Sequence, residues 1–262
     1  QDDGHLFLRV SQIKQEVGTI VSIIKEFYTT LGMVEDYWVS LSVSDPATPD
    51  KYLGGKEVWD TAESSLEEAA KQFDLPYKRI EGEAAFYGPK LDFMFKDAIG
   101  RQWQLATIQL DFNLPNRFDL SYVNEQGEKE RPVVIHRAIS GSLERFMGVM
   151  IEHFAGVFPL WLAPRQAIVV PVGEKFNDYA EKVLKSLKDA GIRAEGDFST
   201  DGLNKKVRNA EQAHINYILV VGEKEEANNG VAVRNYKTKE QTEESAADFV
   251  ARAKTEIEEK SL

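Results

Sequence analysis

Residues 91–112 read LDFMFKDAIGRQWQLATIQLDF: two alternating runs joined by DAIG, the pattern of an antiparallel hairpin. Gln104 and Gln109 stand in the second run, which is otherwise rich in apolar residues. Buried amides require partners, so these two are either satisfied internally or aimed at a ligand. Strand parity sends positions 104 and 109 to opposite faces of a flat strand. Both can touch one ligand only if a bulge or a strong twist lies between them.

Outward from this hairpin, the first part of the chain reads as mixed helix and strand. LFLRV is followed by SQIKQEVGTIVSIIKEFYTTLG, whose Ile13, Val17, Ile20, Val21, Ile24, Phe27, Tyr28 and Leu31 keep helical spacing, with Ser11 as N-cap and Gly32 as stop. YWVSLSVS alternates as a strand, EVWDTAESSLEEAAKQF repeats the helical pattern, and a hairpin is expected around NEQGEKERP before the short strand VVIH. SGSLERFMGVMIEHFAG follows as a helix with Leu143, Phe146, Met147, Met150, Ile151 and Phe154 on one apolar face. Strands dominate here and are expected to pair antiparallel. At FPLWLAPRQ two prolines bracket an apolar link, after which strands alternate with helices, predicting crossover units and a largely parallel sheet. The expected division is 1–163 and 164–262.

Composition narrows the function classes. A chain of 262 residues with 42% hydrophobic and 29% charged side chains is that of a soluble globular protein with a sizeable core. No apolar run approaches the roughly 20 residues of a membrane span, and the start lacks the features of a signal peptide, so a cytoplasmic protein is expected. With no cysteine, histidine and carboxylate are the ionisable metal ligands the chain offers. The net charge of -11 argues against a protein that coats nucleic acid, though a local basic patch on an acidic body is allowed. NKKVRNA, with Lys205, Lys206 and Arg208, is such a patch or simply a solvated helix face.

Phosphate-binding signatures of the Walker and G-x-G-x-x-G kinds are absent. In GSLERF, Ser142 lies near a helix N-terminus and Arg145 one turn in, an anion-favouring arrangement or an ordinary capped helix. His136 ends an apolar strand and His5 follows Gln1 and Asp3 with alternating spacing; two such histidines projecting into one cavity could hold zinc, but two ligands make an incomplete site. His153 and His214 read as structural or surface residues. Tyr87 and Lys90, in AAFYGPK, belong to a Gly-Pro-containing segment between strands, which is also what a plain turn looks like.

Taken in order, QDDGH, AFYGPK, ATIQLDF, VIHRAISGSLERF and FPLWLAPRQ resemble the threonyl-tRNA synthetases, and the resemblance runs the length of the chain. It implies an α+β class II synthetase catalytic domain, an antiparallel sheet flanked by helices, followed by an α/β anticodon-binding domain. It implies zinc held by His5 and His136 with a cysteine whose position lies upstream of Gln1, together with the first class motif, its dimer strand and an ATP-gripping arginine. Threonine contacts fall on Gln1, Asp3, Tyr87 and Gln109. ATP contacts fall on Gln104, Thr107, Ser142 and Arg145, with Lys90 and Arg145 in catalytic roles and Mg2+ accompanying ATP. Glu225 and Arg234 match positions that read the anticodon of tRNA(Thr). A homodimer is expected of the family. The alternatives are a tRNA-binding paralogue or fragment without ligase activity, and a relative specific for proline, glycine or serine, against which His5 and His136 speak.

Overall fold

The computed structural model describes residues 1–34 and 37–262. Contacts divide them into two units, Gln1–His153 and Phe154–Leu262.

The first unit runs β1 (Gly4–Leu8), α1 (Ile13–Thr30), β2 (Tyr37–Val43), α2 (Lys56–Gln72), β3 (Tyr77–Glu81), β4 (Lys90–Lys96), β5 (Gln102–Asp111), α3 (Asn113–Arg117), β6 (Tyr122–Val123), β7 (Lys129–Glu130), β8 (Val133–Ala138) and α4 (Leu143–His153). Among the described residues, β1-β8-β5-β4-β2-β3 form one sheet in that order, and β6 with β7 is the hairpin expected around NEQGEKERP. Pairing in the large sheet is antiparallel except between β2 and β3, which run parallel. The expectation of an antiparallel sheet is corrected there because α2, 17 residues long, supplies the crossover that a parallel pair requires.

One face of this sheet is apolar. Leu41, Leu91, Phe93, Ile108, Leu110 and Ile135 are fully buried on it. Helices α1 and α2 lie over this side, burying Val17, Ile20, Ile24 and Tyr28 from one and Ala62, Leu66 and Ala69 from the other. Alternation therefore leaves the opposite face to the polar residues.

Helix α4 departs from its reading. Phe146 and Val149 are buried, whereas Leu143, Met147 and Ile151 are about half exposed. Phe146 packs on Phe27 and Tyr28 of α1. A helix meets one neighbour along one stripe, and the six-residue apolar face is wider than that contact.

The second unit runs β9 (Ala167–Pro171), α5 (Asn177–Asp189), β10 (Ala194–Gly196), α6 (Leu203–Gln212), β11 (Tyr217–Val221), α7 (Glu223–Asn228), β12 (Gly230–Asn235), β13 (Gln241–Ser245) and α8 (Ala246–Glu258). The sheet order is β10-β9-β11-β12-β13, parallel through β11 and antiparallel beyond it, so the largely parallel sheet is corrected to a mixed one. The link from β11 to β12 is only the six-residue α7 with its flanks, too short for a crossover, and the chain returns antiparallel. Residues 154–163 belong to this unit. Leu160 sits in its core, and the Arg193 guanidinium donates to the carbonyls of Trp161 and Ala163.

The DAIG turn is built on Asp97. Its carboxylate accepts from the backbone N–H of Ile99 (3.1 Å) and of Arg101 (2.8 Å), and from Trp103 Nε1 (2.9 Å). Burial alone would raise its pKa; the bonds from Trp103, Arg101 and Ile99 outweigh that and hold it well below the usual carboxylate range. A depressed folded-state pKa contributes stability that is fully present above the unfolded value of about 3.9 and is lost as pH falls below it. Asp97→Ala is thus expected to lower the melting temperature at neutral pH. Calorimetry should show the gap to the parent protein narrowing below about pH 4; a gap independent of pH contradicts this account of the turn.

Candidate functional site

Sheet register assembles the polar face. Ser42, Lys90, Gln109, His136 and His5 are direct cross-strand partners in sequence, forming one row across β2, β4, β5, β8 and β1. Two residues along the strands, Ser40, Asp92, Thr107 and Ala138 form the next row. Beyond it the register of β4 with β5 slips between Phe93 and Met94: Phe93 faces Ala106 while Met94 faces Gln104, leaving Leu105 as the extra residue. A register slip of this kind is what a ligand shared by Gln104 and Gln109 would require. It returns Gln104 to the side of Thr107 and Gln109, and Gln104 Nε2 lies 3.1 Å from Thr107 Oγ1.

Two glycines make room for this backbone. A Cβ on Gly88 would lie 1.8 Å from the Leu110 carbonyl oxygen, and one on Gly141 (φ +72) would lie 2.4 Å from that of Leu105. The FYGPK turn and the approach to α4 can therefore seat closely on β5 only without side chains at these points.

The row divides into two networks. In one, the Tyr87 hydroxyl donates to Gln109 Oε1 (2.9 Å), Gln109 Nε2 donates to the Gly88 carbonyl (3.3 Å), and the Tyr87 ring lies 5.5 Å from that of His136. Burial, then the charges of Asp111 and Asp3, raises the Tyr87 pKa, so the phenol is a donor at neutral pH. In the other, Asp92, 4% exposed, accepts from Gln104 Nε2 (2.7 Å) and Thr107 Oγ1 (2.9 Å) on one oxygen and holds Lys90 Nζ (2.6 Å) on the other. Arg145 donates to the Gln104 carbonyl (3.1 Å), and Ser142 Oγ accepts from the Arg145 N–H (3.4 Å). Gln1 and Asp3, just before β1, and His5 within it are exposed.

His5 and His136 have ring centres 4.7 Å apart, edge to face. Two imidazoles bound tetrahedrally to one zinc, with Zn–N of about 2.1 Å, would have centres roughly 5 Å apart, a separation this spacing allows. Among the described residues no group of three or more metal-ligating side chains occurs. A cleft of about 600 Å³ lined by Phe7, Gln12, Leu120, Tyr122 and Pro132 contains none of the row, so chemistry marks the site better than concavity.

Sequence reasoning passed over three carboxylates: Asp92, Asp111 and Asp2. Parity held the signal for two of them, since Asp92 is two residues from Lys90 and Asp111 two from Gln109. Asp2 carries the third function. Its carboxylate accepts from the N–H groups of Ile139 (2.8 Å), Ser140 (3.1 Å) and Gly141 (2.9 Å), tying the start of the chain to the turn that presents Ser142 and Arg145.

In the second unit Arg234 is held by Glu211 at 2.9 Å and lines a cleft of about 480 Å³ with Asn204, Arg208 and Gln241. Glu225 lines a different, smaller cavity with Lys224 and Asn228, and its carboxylate accepts from the Gly222 N–H (2.9 Å) at the start of α7. The basic patch of NKKVRNA does not form. Lys206 is buried and donates to the Asp197 carbonyl, Lys205 pairs with Asp201, and Arg208 alone faces the cleft. His214 is structural, its Nδ1 3.3 Å from the Gly156 carbonyl.

Asp2→Ala leaves three backbone donors without their acceptor and is expected to cost about 1–3 kcal/mol, read by urea unfolding of the first unit. A change within error would show that water replaces the carboxylate.

Residues 1–154 match the family model described as tRNA synthetase class II core domain (G, H, P, S and T), and residues 166–256 match the anticodon binding domain. A threonine–tRNA ligase of Thermus thermophilus is 50% identical over 262 residues, covering 100% of this chain and 40% of that protein. One of Symbiobacterium thermophilum is 45% identical, covering 100% of this chain and 39% of that protein. The chain thus spans about two fifths of the length of the curated relatives it matches. A crystal structure described as the RNA binding domain of threonyl-tRNA synthetase from Cryptosporidium parvum superposes with a TM-score of 0.91 at 39% identity, covering 97% of this chain and 63% of that one. Prolyl-tRNA synthetase of Cryptosporidium parvum shares the fold, with a TM-score of 0.67 at 17% identity over 98% of this chain and 50% of its own. The polar sheet face lies within the matched core, Arg234 lies within the matched second domain, and the chain belongs to the class II tRNA synthetases of the G, H, P, S and T group.

Proposed function

We propose that the protein is a threonine–tRNA ligase, which joins threonine to ATP as threonyl-adenylate and transfers the threonyl group to tRNA(Thr). The observation that carries this reading is the row His5, His136, Gln109, Lys90 on one sheet face, in a chain about 50% identical to threonine–tRNA ligases throughout.

In the first step a threonine carboxylate oxygen forms a bond to the α-phosphorus of ATP as the bond to the bridging oxygen breaks and pyrophosphate leaves. In the second, a terminal ribose hydroxyl of the tRNA attacks the carbonyl carbon and AMP leaves. Neither step calls for a side-chain nucleophile, so the protein contributes position and charge. Lys90 supplies an ammonium between Gln109 and the Asp92 network, suited to the charge that develops on phosphate and carboxylate. Gln1, Asp3, Tyr87 and Gln109 would orient threonine. Gln104, Thr107, Ser142 and Arg145 would hold the nucleotide, with Mg2+ accompanying its phosphates.

His5 and His136 would hold zinc, which when bound supplies a position for the threonine hydroxyl that valine cannot fill. An apolar pocket alone separates such isosteres by only about 10². In the second unit Arg234 and Glu225 would read exposed anticodon base edges, contacts suited to single-stranded RNA. A homodimer working in the cytoplasm completes the proposal; no helix among the described residues is long and apolar enough to cross a membrane.

Amino-acid-dependent ATP–pyrophosphate exchange by the full protein tests the reading. Exchange is expected with threonine, less with serine and none with valine, and Lys90→Ala should lower kcat about 10²–10³-fold. Tight tRNA binding with no exchange on any amino acid would point to a non-catalytic tRNA-binding paralogue instead. Arg234→Ala is expected to raise the KM for tRNA about tenfold or more while leaving exchange unchanged, the signature of a base contact remote from chemistry. An unchanged KM would remove Arg234 from the tRNA interface.

A further inference from the structure

Asp111 is fully buried, and its charge is not accounted for by the local fold. One oxygen, Oδ1, accepts from the backbone N–H of Asn113 (2.7 Å) and of Leu114 (3.0 Å), capping the short α3. An asparagine would cap as well without burying a charge, which is costly unless it is used. The other oxygen, Oδ2, lies 3.0 Å from His136 Nε2. Asp111 stands two residues from Gln109 on the same face of β5, and Gln109 is the cross-strand partner of His136, so this contact is the diagonal neighbour across the β5–β8 pair.

A carboxylate can only accept. His136 Nε2 must therefore carry the hydrogen, and in the neutral imidazole the lone pair is left on Nδ1. We propose that Asp111 is a positioning residue that fixes the tautomer and ring orientation of His136, making Nδ1 its metal-ligating atom. This rests on the reading of His5 and His136 as zinc ligands and extends it to the residue behind them. Partners of this kind on the second nitrogen typically change metal affinity by about 10- to 100-fold.

The conservative substitution reverses the logic at constant shape. In Asp111→Asn the amide oxygen stays with the two backbone donors of α3, since an amide nitrogen there would face two N–H groups. The NH2 then points at His136 and donates to Nε2, which must become the acceptor and send the ring hydrogen to Nδ1. The ligating atom is thereby blocked while the cap survives. Loss of a cap alone would move stability and leave the tautomer where it is.

Imidazole 15N NMR of the metal-free full protein reads the tautomer, with His136 assigned by the signal missing in His136→Gln. The expected result is hydrogen on Nε2 in the parent protein, hydrogen on Nδ1 in Asp111→Asn, and zinc titration that moves the parent's Nδ1 resonance. Chelator competition should show zinc affinity about 10- to 100-fold weaker in Asp111→Asn, with a similar melting temperature. Hydrogen on Nδ1 in the parent, or zinc reporting on Nε2, overturns the inference without any variant. Equal zinc affinity in parent and Asp111→Asn also overturns it and leaves the zinc reading intact. A parent protein that binds no zinc removes both.

Discussion

The site depends on the register of five antiparallel strands within one sheet. Ser42, Lys90, Gln109, His136 and His5 come from five strands scattered between residues 4 and 138, and they become neighbours only because each strand pairs at one alignment. A slip of one residue in any strand would send its polar side chain to the opposite face. That slip is prevented by the other face, where Leu41, Leu91 and Ile108 are partners one step from the row and all fully buried. The hydrophobic core beneath α1 and α2 thus sets the geometry of a site it never touches. The extra residue at Leu105 refines that geometry, since without it Gln104 would lie among the apolar side chains.

Carboxylates organise what the register assembles. The protein is acidic, with a net charge of -11, and three of its acids hold other groups in place. Asp92 gathers Lys90, Gln104 and Thr107; Asp111 holds His136; Asp2 holds the turn that carries Ser142 and Arg145. Buried polar groups with every partner satisfied make a rigid platform, and a platform ordered before substrate arrives loses less freedom on binding.

The hairpin at 91–112 and the helices α1 and α2 were legible because each rests on local spacing, whereas His5 and His136, far apart in sequence, were paired only by the family resemblance. Even the slip at Leu105 was foreseeable, as a conflict between parity and a shared ligand. Long-range pairing decided the rest. Nothing in the spacing of NYILVVGEKEEANNGVAVRNY says that β12 returns antiparallel; the shortness of the link does, once α7 is known to end at Asn228. Lys206 reads as surface charge until the carbonyl of Asp197 is placed above it. Asp111 reads as one more residue of a strand until the diagonal to His136 is known. Neighbours across a sheet are set by register, and a single sequence carries register only as the sum of many weak preferences.

Selectivity and chemistry separate on this face. Under the ligase reading, the groups that would recognise threonine, His5, His136, Gln109 and Tyr87, lie toward β1 and β8, and those for the nucleotide, Gln104, Thr107 and Arg145, cluster around Asp92 and the start of α4. The two sets share β5, where Thr107 and Gln109 are two residues apart, and Lys90 pairs with Gln109 while bonding to Asp92. Lys90 is therefore bonded into the Asp92 network and stands beside Gln109 in the row, and under this reading its charge would lie where carboxylate meets phosphate. Under the same reading, residues that select the amino acid would lie at the β1–β8 end of the row, and those that hold the nucleotide around Asp92 and the α4 turn.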